Sequence, residues 1–168
     1  MNDARGITLL ETVLYIAIAA VMLLSVIFFF LILLEGRTQA RAINEVEQQG
    51  LHAMEIITST IRNAENITSP TTGSSASSLA LDVVSVGNDP TVFDFSSGAL
   101  RITEGAGSGV ALTSSHVTVS TLTFSNYSRS STPGTIRIQF TLTYVSSSTQ
   151  HEYTYAKTFI SSASLREN

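Results

Sequence analysis

The arrangement of apolar and polar residues divides the chain into an unbroken apolar run, an amphipathic stretch and a series of short alternating segments. The apolar run covers residues 12–34 and contains no charge. As a helix it would be about 35 Å long, which exceeds the ~30 Å hydrocarbon layer of a bilayer. Glu35, Gly36 and Arg37 lead from it directly into another helical pattern, with no small-residue cleavage site. We therefore expect a membrane-spanning helix that ordinary signal cleavage does not remove.

The amphipathic stretch predicts that the same helix continues beyond the apolar run. Apolar residues and one glycine recur at intervals of three and four, as one face of a helix requires: Ile43, Val46, Gly50, Met54, Ile57 and Ile61. No proline precedes Pro70, so we expect the helix to end near Ala64. Glycine inside a helix costs about 1 kcal/mol relative to alanine. We interpret Gly50 as a point where the helix approaches a sheet closely.

Short β-branched segments follow a polar stretch at residues 66–78, which we interpret as a loop. Alternation of apolar and polar residues predicts strands at residues 79–86, 91–95, 99–104, 110–113, 117–125, 135–145 and 150–161. The last two form the clearest hairpin. The predicted fold is α+β: one long N-terminal helix, with a transmembrane first half and an amphipathic second half, packed on one C-terminal antiparallel β-sheet.

Composition narrows the classes of function. The chain has no cysteine, which excludes disulfides, thiol nucleophiles and thiolate metal sites. Beyond residue 66, Lys and Arg nearly balance Asp and Glu, whereas nucleic-acid binding requires clustered positive charge. We therefore predict no nucleic-acid partner.

The side chains that most often carry catalysis or metal binding form no recognisable motif in the sequence. His52, His116 and His151 lack the spacing of metal ligands. No arrangement of Ser, His and Asp typical of a nucleophilic enzyme is identifiable. We predict no catalytic residue, no metal and no cofactor, and hence a protein that is not an enzyme.

Three further motifs have ordinary explanations. The glycine-rich segment at residues 104–109 lacks the lysine and the following helix of a phosphate-binding loop, so we interpret it as a hairpin loop. Asp82, Asp89 and Asp94 do not form a compact calcium loop, and surface acids are the favoured interpretation. Two Asn-x-Ser/Thr glycosylation patterns are expected by chance in a chain rich in Ser and Thr.

Glu11 is the most informative residue, because a carboxylate at the edge of an apolar helix loses hydration. Taken alone, Glu11 is equally consistent with a solvated group in the headgroup layer. The residues that precede Glu11 favour a functional role over a merely solvated carboxylate. A polar leader, MNDAR, ends in Gly6, and Ile7 then begins a short segment that carries Glu11 into the apolar run. This arrangement resembles the class III prepilin signal of the type IV pilin-like family.

The resemblance implies a processing and assembly role for these residues. It implies that a prepilin peptidase cuts after Gly6 and methylates the new N-terminus at Ile7, and that Glu11 meets the amine of a neighbouring subunit. Charge counts leave the orientation open, whereas the resemblance implies a cytoplasmic leader and an exported C-terminal domain. One departure is that many pilins carry a proline in this helix, and residues 7–34 contain none.

The later strands, including TSSHVTVSTLTFS, and the closing SASLREN are similar to W-type minor pilins and J-type pseudopilins. The resemblance implies a minor pilin or pseudopilin, a structural subunit of a type IV pilus or of a type II secretion or competence pseudopilus. Its implied domains are a leader at 1–6, a transmembrane and filament-core helix at 7–34, an amphipathic continuation at 35–65 and a globular antiparallel β domain at 66–168.

The same resemblance implies partners and a location. The implied partners are the prepilin peptidase, the major pilin, other minor pilins, the pilus assembly platform and the membrane. The implied location is the inner membrane, with a single pass, and a cell-surface filament after assembly. The sequence does not select among adhesion, motility, secretion and DNA uptake.

Two other classes of protein stay open. A single-span membrane-anchored adhesin or sensor with an exported β domain would remain uncleaved and would not need Gly6 or Glu11. A membrane-anchored hydrolase would show an activity that depends on a histidine or on a pair of acids.

Overall fold

The computed structural model describes residues 8–130, 132–145 and 154–166, with the side chains of residues 33–39 outside the description. The chain divides into two compact units, Met1–Ala40 and Arg41–Asn168. The helix α1 covers Leu9–Asn63 and contributes to both units. The predicted long N-terminal helix is therefore confirmed, and it ends one residue before Ala64.

The first unit contains the apolar part of α1. The segment Leu9–Ile32 has a mean hydropathy of 2.9, and none of it is buried inside the protein. A helix of this length and composition is able to cross a bilayer. It is compatible with a single-pass anchor near the N-terminus.

The second unit buries one face of the remaining part of α1. The buried positions follow the helical repeat: Ala42, Val46, Gly50, Ala53, Ile57 and Ile61. Four of them belong to the predicted apolar face. Ile43 and Met54 lie half-buried at its flanks, and Ala42 and Ala53 are buried in their place.

In the described part of the chain, nine strands form two antiparallel sheets. The strands are β1 (Ala64–Ser69), β2 (Ser75–Ala76), β3 (Leu79–Val83), β4 (Thr91–Ser96), β5 (Ala99–Glu104), β6 (Val110–Ala111), β7 (Val117–Asn126), β8 (Thr135–Tyr144) and β9 (Ala156–Ser164). The first sheet has the order β1-β3-β4-β5-β6, and the second has the order β2-β7-β8-β9.

Two predictions about this region are wrong: the single sheet, and the loop where residues 66–69 belong to β1 and residues 75–76 form β2. The rest of the predicted loop, residues 70–74 and 77–78, is not in a strand. The missed strand β1 pairs with β3 through two register shifts, between Ala64 and Asn66 and between Ile67 and Ser69. Such bulges remove the alternation by which a strand is recognised in a sequence. The strand β6 is only two residues long and forms the edge of the first sheet, whereas β7 lies between β2 and β8 in the second.

The other predicted strands are confirmed with changes at their ends. The strand β5 matches its predicted range, whereas β3 and β6 end earlier than predicted. The last strand, β9, begins at Ala156 and extends to Ser164. Its predicted first residues, 150–153, lie outside the described residues. The predicted hairpin partners β8 and β9 pair along their whole length.

One hydrophobic core joins the helix face to both sheets. In this core the rings of Phe140 and Phe159 stack with their centroids 5.4 Å apart. The Phe159 ring lies against the backbone of Gly50, so closely that a Cβ at residue 50 would overlap it. The predicted close approach at Gly50 is therefore confirmed.

A buried side chain, Asn126, holds the polar segment between β1 and β3. Its Nδ2 donates to the Pro70 carbonyl at 2.8 Å, and its Oδ1 accepts from the Ser128 N–H at 2.9 Å. Its backbone carbonyl accepts from the Gly73 N–H, and its own N–H donates to the Ser74 carbonyl. Since buried polar groups need partners, these bonds account for a 3 % exposed amide in a mostly apolar core.

Candidate functional site

The first turn of α1 contains Glu11 and begins at an N-terminal cap. Thr8 precedes the helix, and its Oγ1 accepts a hydrogen bond from the Glu11 N–H at 3.3 Å. The Thr8 carbonyl accepts from the same N–H at 3.0 Å and from the Thr12 N–H at 3.2 Å. The spacing Thr-x-x-Glu is the sequence pattern of a capping box. This signal is present in the sequence, but the prediction interpreted Glu11 through its charge and its distance from Gly6 and Ile7, and did not include a cap.

The Glu11 carboxylate is half-buried and has a partner on its own helix. The Tyr15 hydroxyl donates to Glu11 Oε1 at 3.2 Å. Oε2 has no hydrogen bond to a residue that the structure describes. A carboxylate in the first turn also interacts favourably with the helix dipole, by about 0.3–1 kcal/mol at an exposed site. Glu11 is therefore held in place, with one oxygen oriented by Tyr15.

An apolar helical surface surrounds this carboxylate. Leu9 and Leu10 are 83 % and 80 % exposed, and the large side chains that follow as far as Ile32 are also exposed. Glu11 is the only charged residue among residues 9–32. If lipid or other helices cover this surface, the carboxylate loses hydration and an adjacent cation becomes favourable. The predicted cleavage residues Gly6 and Ile7 lie outside the described residues.

The two described histidines that were considered as ligands lie on different elements. His52 lies on α1 and His116 lies just before β7, and both are exposed. His151 lies outside the described residues. Within residues 8–130, 132–145 and 154–166, no group of three His, Cys, Asp or Glu side chains is placed to hold a metal ion.

The three aspartates considered for calcium make separate local hydrogen bonds. Asp82 Oδ1 accepts from the Thr68 hydroxyl at 2.6 Å, and Asp89 Oδ1 accepts from the Val83 N–H at 3.2 Å. Asp94 forms a two-pronged ion pair with Arg101 across β4 and β5, and its Oδ2 lies 2.8 Å from Arg101 Nη2. These bonds connect strands and turns.

The glycine-rich segment at residues 104–109 connects β5 to β6. Gly105 has a φ of 54°, in the left-handed region that glycine tolerates. Its N–H donates to the Pro90 carbonyl at 3.0 Å, and Asn88 Nδ2 donates to Glu104 Oε1 at 3.1 Å. The segment is therefore tied to the β3–β4 turn, as a hairpin loop.

An ion pair also joins α1 to the second sheet. Lys157 Nζ on β9 donates to Glu47 Oε1 at 2.7 Å. This hydrogen bond raises the pKa of Lys157 above its ordinary value. The ammonium also lies 5.6 Å from the centre of the Phe159 ring. This ion pair fixes the helix against the sheet edge.

No model of a known protein family, no curated protein and no solved structure matches this chain. What can be said of its function depends on its own residues, above all on Glu11 and on the exposed apolar helix that follows it.

Proposed function

We propose that this protein is a minor pilin or pseudopilin, a structural subunit of a type IV pilus or of a type II secretion or competence pseudopilus. A prepilin peptidase processes it after Gly6, and the mature chain begins with N-methylated Ile7. It is not an enzyme, and it acts by packing its N-terminal helix against the major pilin and other minor pilins. The assembly platform transfers it from the inner membrane, where its leader is cytoplasmic and its C-terminal domain lies outside.

One observation carries the proposal: a single carboxylate, Glu11, lies in the capped first turn of α1, at the start of the segment Leu9–Ile32, which is otherwise apolar and is not buried inside the protein. Such a surface is stable in a bilayer or in a bundle of similar helices. Inside a bundle an unpaired carboxylate is costly, and the free amine of a processed neighbour would neutralise it. The pair would select the register of neighbouring subunits more than it would add stability.

The experiment that tests processing is intact-mass and N-terminal analysis of the full chain produced together with a prepilin peptidase. We expect a mature protein that begins at N-methylated Ile7. The variant Gly6→Ala should keep the Met1 start, because a methyl group obstructs a peptidase site that accepts glycine. A wild-type chain that keeps its Met1 start in the presence of an active peptidase would contradict the proposal.

A second measurement tests assembly through Glu11. The variant Glu11→Gln keeps the Thr8 cap, which uses the backbone N–H, and removes only the charge. We expect its incorporation into filaments to fall by at least about tenfold, as the loss of a charge-assisted pair predicts. Unchanged incorporation of a processed Glu11→Gln chain would show that the carboxylate has no part in assembly.

The alternative is a single-span membrane-anchored adhesin or sensor that is never cut. The bonds of Glu11 to Thr8 and Tyr15 favour it, since they give Glu11 a local structural role that needs no neighbouring subunit. Under this alternative, the original chain, Gly6→Ala and Glu11→Gln would all keep the Met1 start, and the location of the protein would not change.

A further inference from the structure

The last strand of the second sheet, β9, has one side of its backbone facing outward. Its register against β8 is regular over its whole length. Tyr144 N–H donates to the Tyr155 carbonyl and Leu165 N–H donates to the Gly134 carbonyl, both at 2.8 Å. These two bonds set the phase of an antiparallel ladder. Odd-numbered residues of β9 therefore direct their backbone N–H and C=O groups to β8, and even-numbered residues direct theirs away from it.

The outward groups belong to a stretch of strand well suited to pairing. Thr158, Ile160 and Ser162 carry them in its centre, and all three side chains are exposed. Ile160 is 55 % exposed, and it is an apolar residue among neighbours that mostly carry hydroxyl groups. Extended backbone with β-branched side chains and no proline is the kind of edge to which another strand adds.

The other sheet edges in the described part of the chain are protected. Two register shifts interrupt β1, and β2 and β6 each contain only two residues. Where β2 does not cover β7, the Val119 N–H donates to the Gly98 carbonyl of the β4–β5 turn at 2.8 Å. Bulges, short strands and covering turns are the usual means of blocking an edge. Among the described strands, β9 has none of them between Ala156 and Ser164, and only beyond its end does the Arg166 N–H donate to the Arg62 carbonyl of α1.

The charges along this edge differ between its two ends. At the first end, the ammonium of Lys157 is already paired with Glu47. At the other end, Arg62 and Arg166 line an open cavity of about 580 Å³ beside Ser162 and Ser164. Among the residues that the structure describes, an added strand would therefore meet a neutral first end and a basic second end. Charge complementarity requires an acidic group at the second end.

A second copy of this chain does not complement the charges of the edge. Pairing of two β9 edges about a two-fold axis requires the two strands to run in opposite directions. The helix α1 runs in the same direction as β9, since Glu47 contacts Lys157 and Gly50 contacts Phe159 while Arg62 contacts Arg166. The residue 41–63 helices of the two copies would then point in opposite directions, and the Arg62 and Arg166 end of each edge would lie beside the other copy's first end, where Glu47 is already paired with Lys157.

We infer that the outer edge of β9 binds an extended segment of another protein, which adds to the second sheet as an antiparallel strand. The segment is uncharged along Thr158–Ser162 and carries an acidic residue at its N-terminal end, beside Arg62 and Arg166. Its affinity comes from backbone hydrogen bonds to residues 158, 160 and 162, and its direction is set by the two guanidinium groups. This binding needs no processing after Gly6, so it stands independently of the proposed function.

The probe that tests this inference is the acetylated and amidated hexapeptide DTVTVT, titrated into the full chain in detergent micelles. Amide hydrogen exchange distinguishes strand addition from a nonspecific complex, because only strand addition protects alternate amides of β9. We expect saturating peptide to slow exchange at Thr158, Ile160 and Ser162 by at least about tenfold, with little change at the odd-numbered amides already bonded to β8. The peptide KTVTVT should bind at least about tenfold more weakly, and Arg62→Gln with Arg166→Gln should remove that difference.

Two variants test whether peptide binding depends on the outer edge of β9 and not on another part of the folded domain. Ser162→Pro removes an N–H that faces outward and should abolish peptide binding, whereas Ile160→Asp places a charge in the centre of the edge and should weaken DTVTVT binding by at least about tenfold. Absence of slowed exchange at the three even-numbered amides at millimolar DTVTVT would overturn the inference. Equal binding by a folded Ser162→Pro or Ile160→Asp variant would also overturn it.

Discussion

The Phe159 ring occupies the space beside Gly50 that a side chain on α1 would otherwise fill. The absence of a Cβ at residue 50 lets the helix lie directly on β9. The ring then completes its packing by stacking on Phe140. The close approach of α1 to β9 at this point therefore depends on one glycine and one aromatic ring.

The first prediction concerns this contact. Gly50→Ala gains about 1 kcal/mol of helix propensity, but the added methyl overlaps a ring that the core holds on its other side. We expect a net loss of about 1–2 kcal/mol in the free energy of unfolding, as for other overpacked cores. Urea denaturation of the full chain in detergent, followed by near-ultraviolet circular dichroism, measures it.

The control for this prediction is Gly87→Ala, because no atom lies within 4 Å of the position of its added Cβ. Its stability should stay within about 0.5 kcal/mol of the original chain. Phe159→Leu combined with Gly50→Ala should cost less than the sum of the two single changes. Additive costs would mean that the ring and the methyl group do not meet.

The second prediction concerns the cap of α1. Thr8→Ala removes the Oγ1 acceptor of the Glu11 N–H, and the loss of such a cap costs about 0.5–2 kcal/mol. The Glu11 amide should therefore exchange with solvent about tenfold faster in the variant, measured in micelles by nuclear magnetic resonance. Thr8→Ser keeps the hydroxyl and should restore slow exchange. If Thr8→Ser behaves like Thr8→Ala, the hydroxyl bond is not what protects this amide.

The third prediction concerns Asn126. Asn126→Ala leaves the Pro70 carbonyl and the Ser128 N–H without their side-chain partner, and each buried unpaired group costs about 1–3 kcal/mol. We expect a loss of at least about 2 kcal/mol in the free energy of unfolding. Asn66→Ala is the matched control: Asn66 is exposed on an edge strand, so the change should cost less than about 0.5 kcal/mol. Equal losses of stability in the two variants would show that the buried hydrogen bonds of Asn126 contribute no more than those of an exposed asparagine.

The fourth prediction concerns pH. The hydrogen bond from Lys157 to Glu47 raises the pKa of Lys157 in the folded protein. The stability that this bond contributes is fully present below the unfolded pKa of lysine, about 10.4, and is lost as the pH rises through the higher folded pKa. Unfolding measured from pH 9 to pH 12 should show this alkaline loss.

Lys157→Met serves as the reference, since it keeps the aliphatic length and lacks the ammonium. The stability difference between the original chain and Lys157→Met should shrink above about pH 10.4. A difference that stays constant over this range would show that the ammonium contributes nothing to folding.

The sequence predicted the elements whose apolar pattern is strong. The residue 12–34 run and the helical repeat from Val46 to Ile61 predicted α1, and strict alternation predicted β7 and β8. The side that each element buries follows from the same spacing. These predictions depend on burial of large apolar residues, which a sequence records directly.

The sequence did not predict the features that depend on polar contacts between distant residues. The strands β1 and β2 contain mostly Ser, Thr, Asn and Glu, so their pairing has no apolar signal. The role of Asn126 requires the Pro70 carbonyl, 56 residues away along the chain, to lie beside it. At the candidate site the charge of Glu11 was recognised, whereas its cap on Thr8 and its bond from Tyr15 were not. Cleavage after Gly6 and pairing of Glu11 stay predictions.

The hydrogen bonds of Asn126 determine how freely the exposed segment between β1 and β3 can change in sequence. The segment at residues 71–78 is held by one amide and a few main-chain bonds, and most of its own side chains contribute no packing. Substitutions there would alter what the domain displays to its surroundings without loosening its interior. Chains with the same fold would be free to carry different side chains in this segment while keeping the same core and sheets.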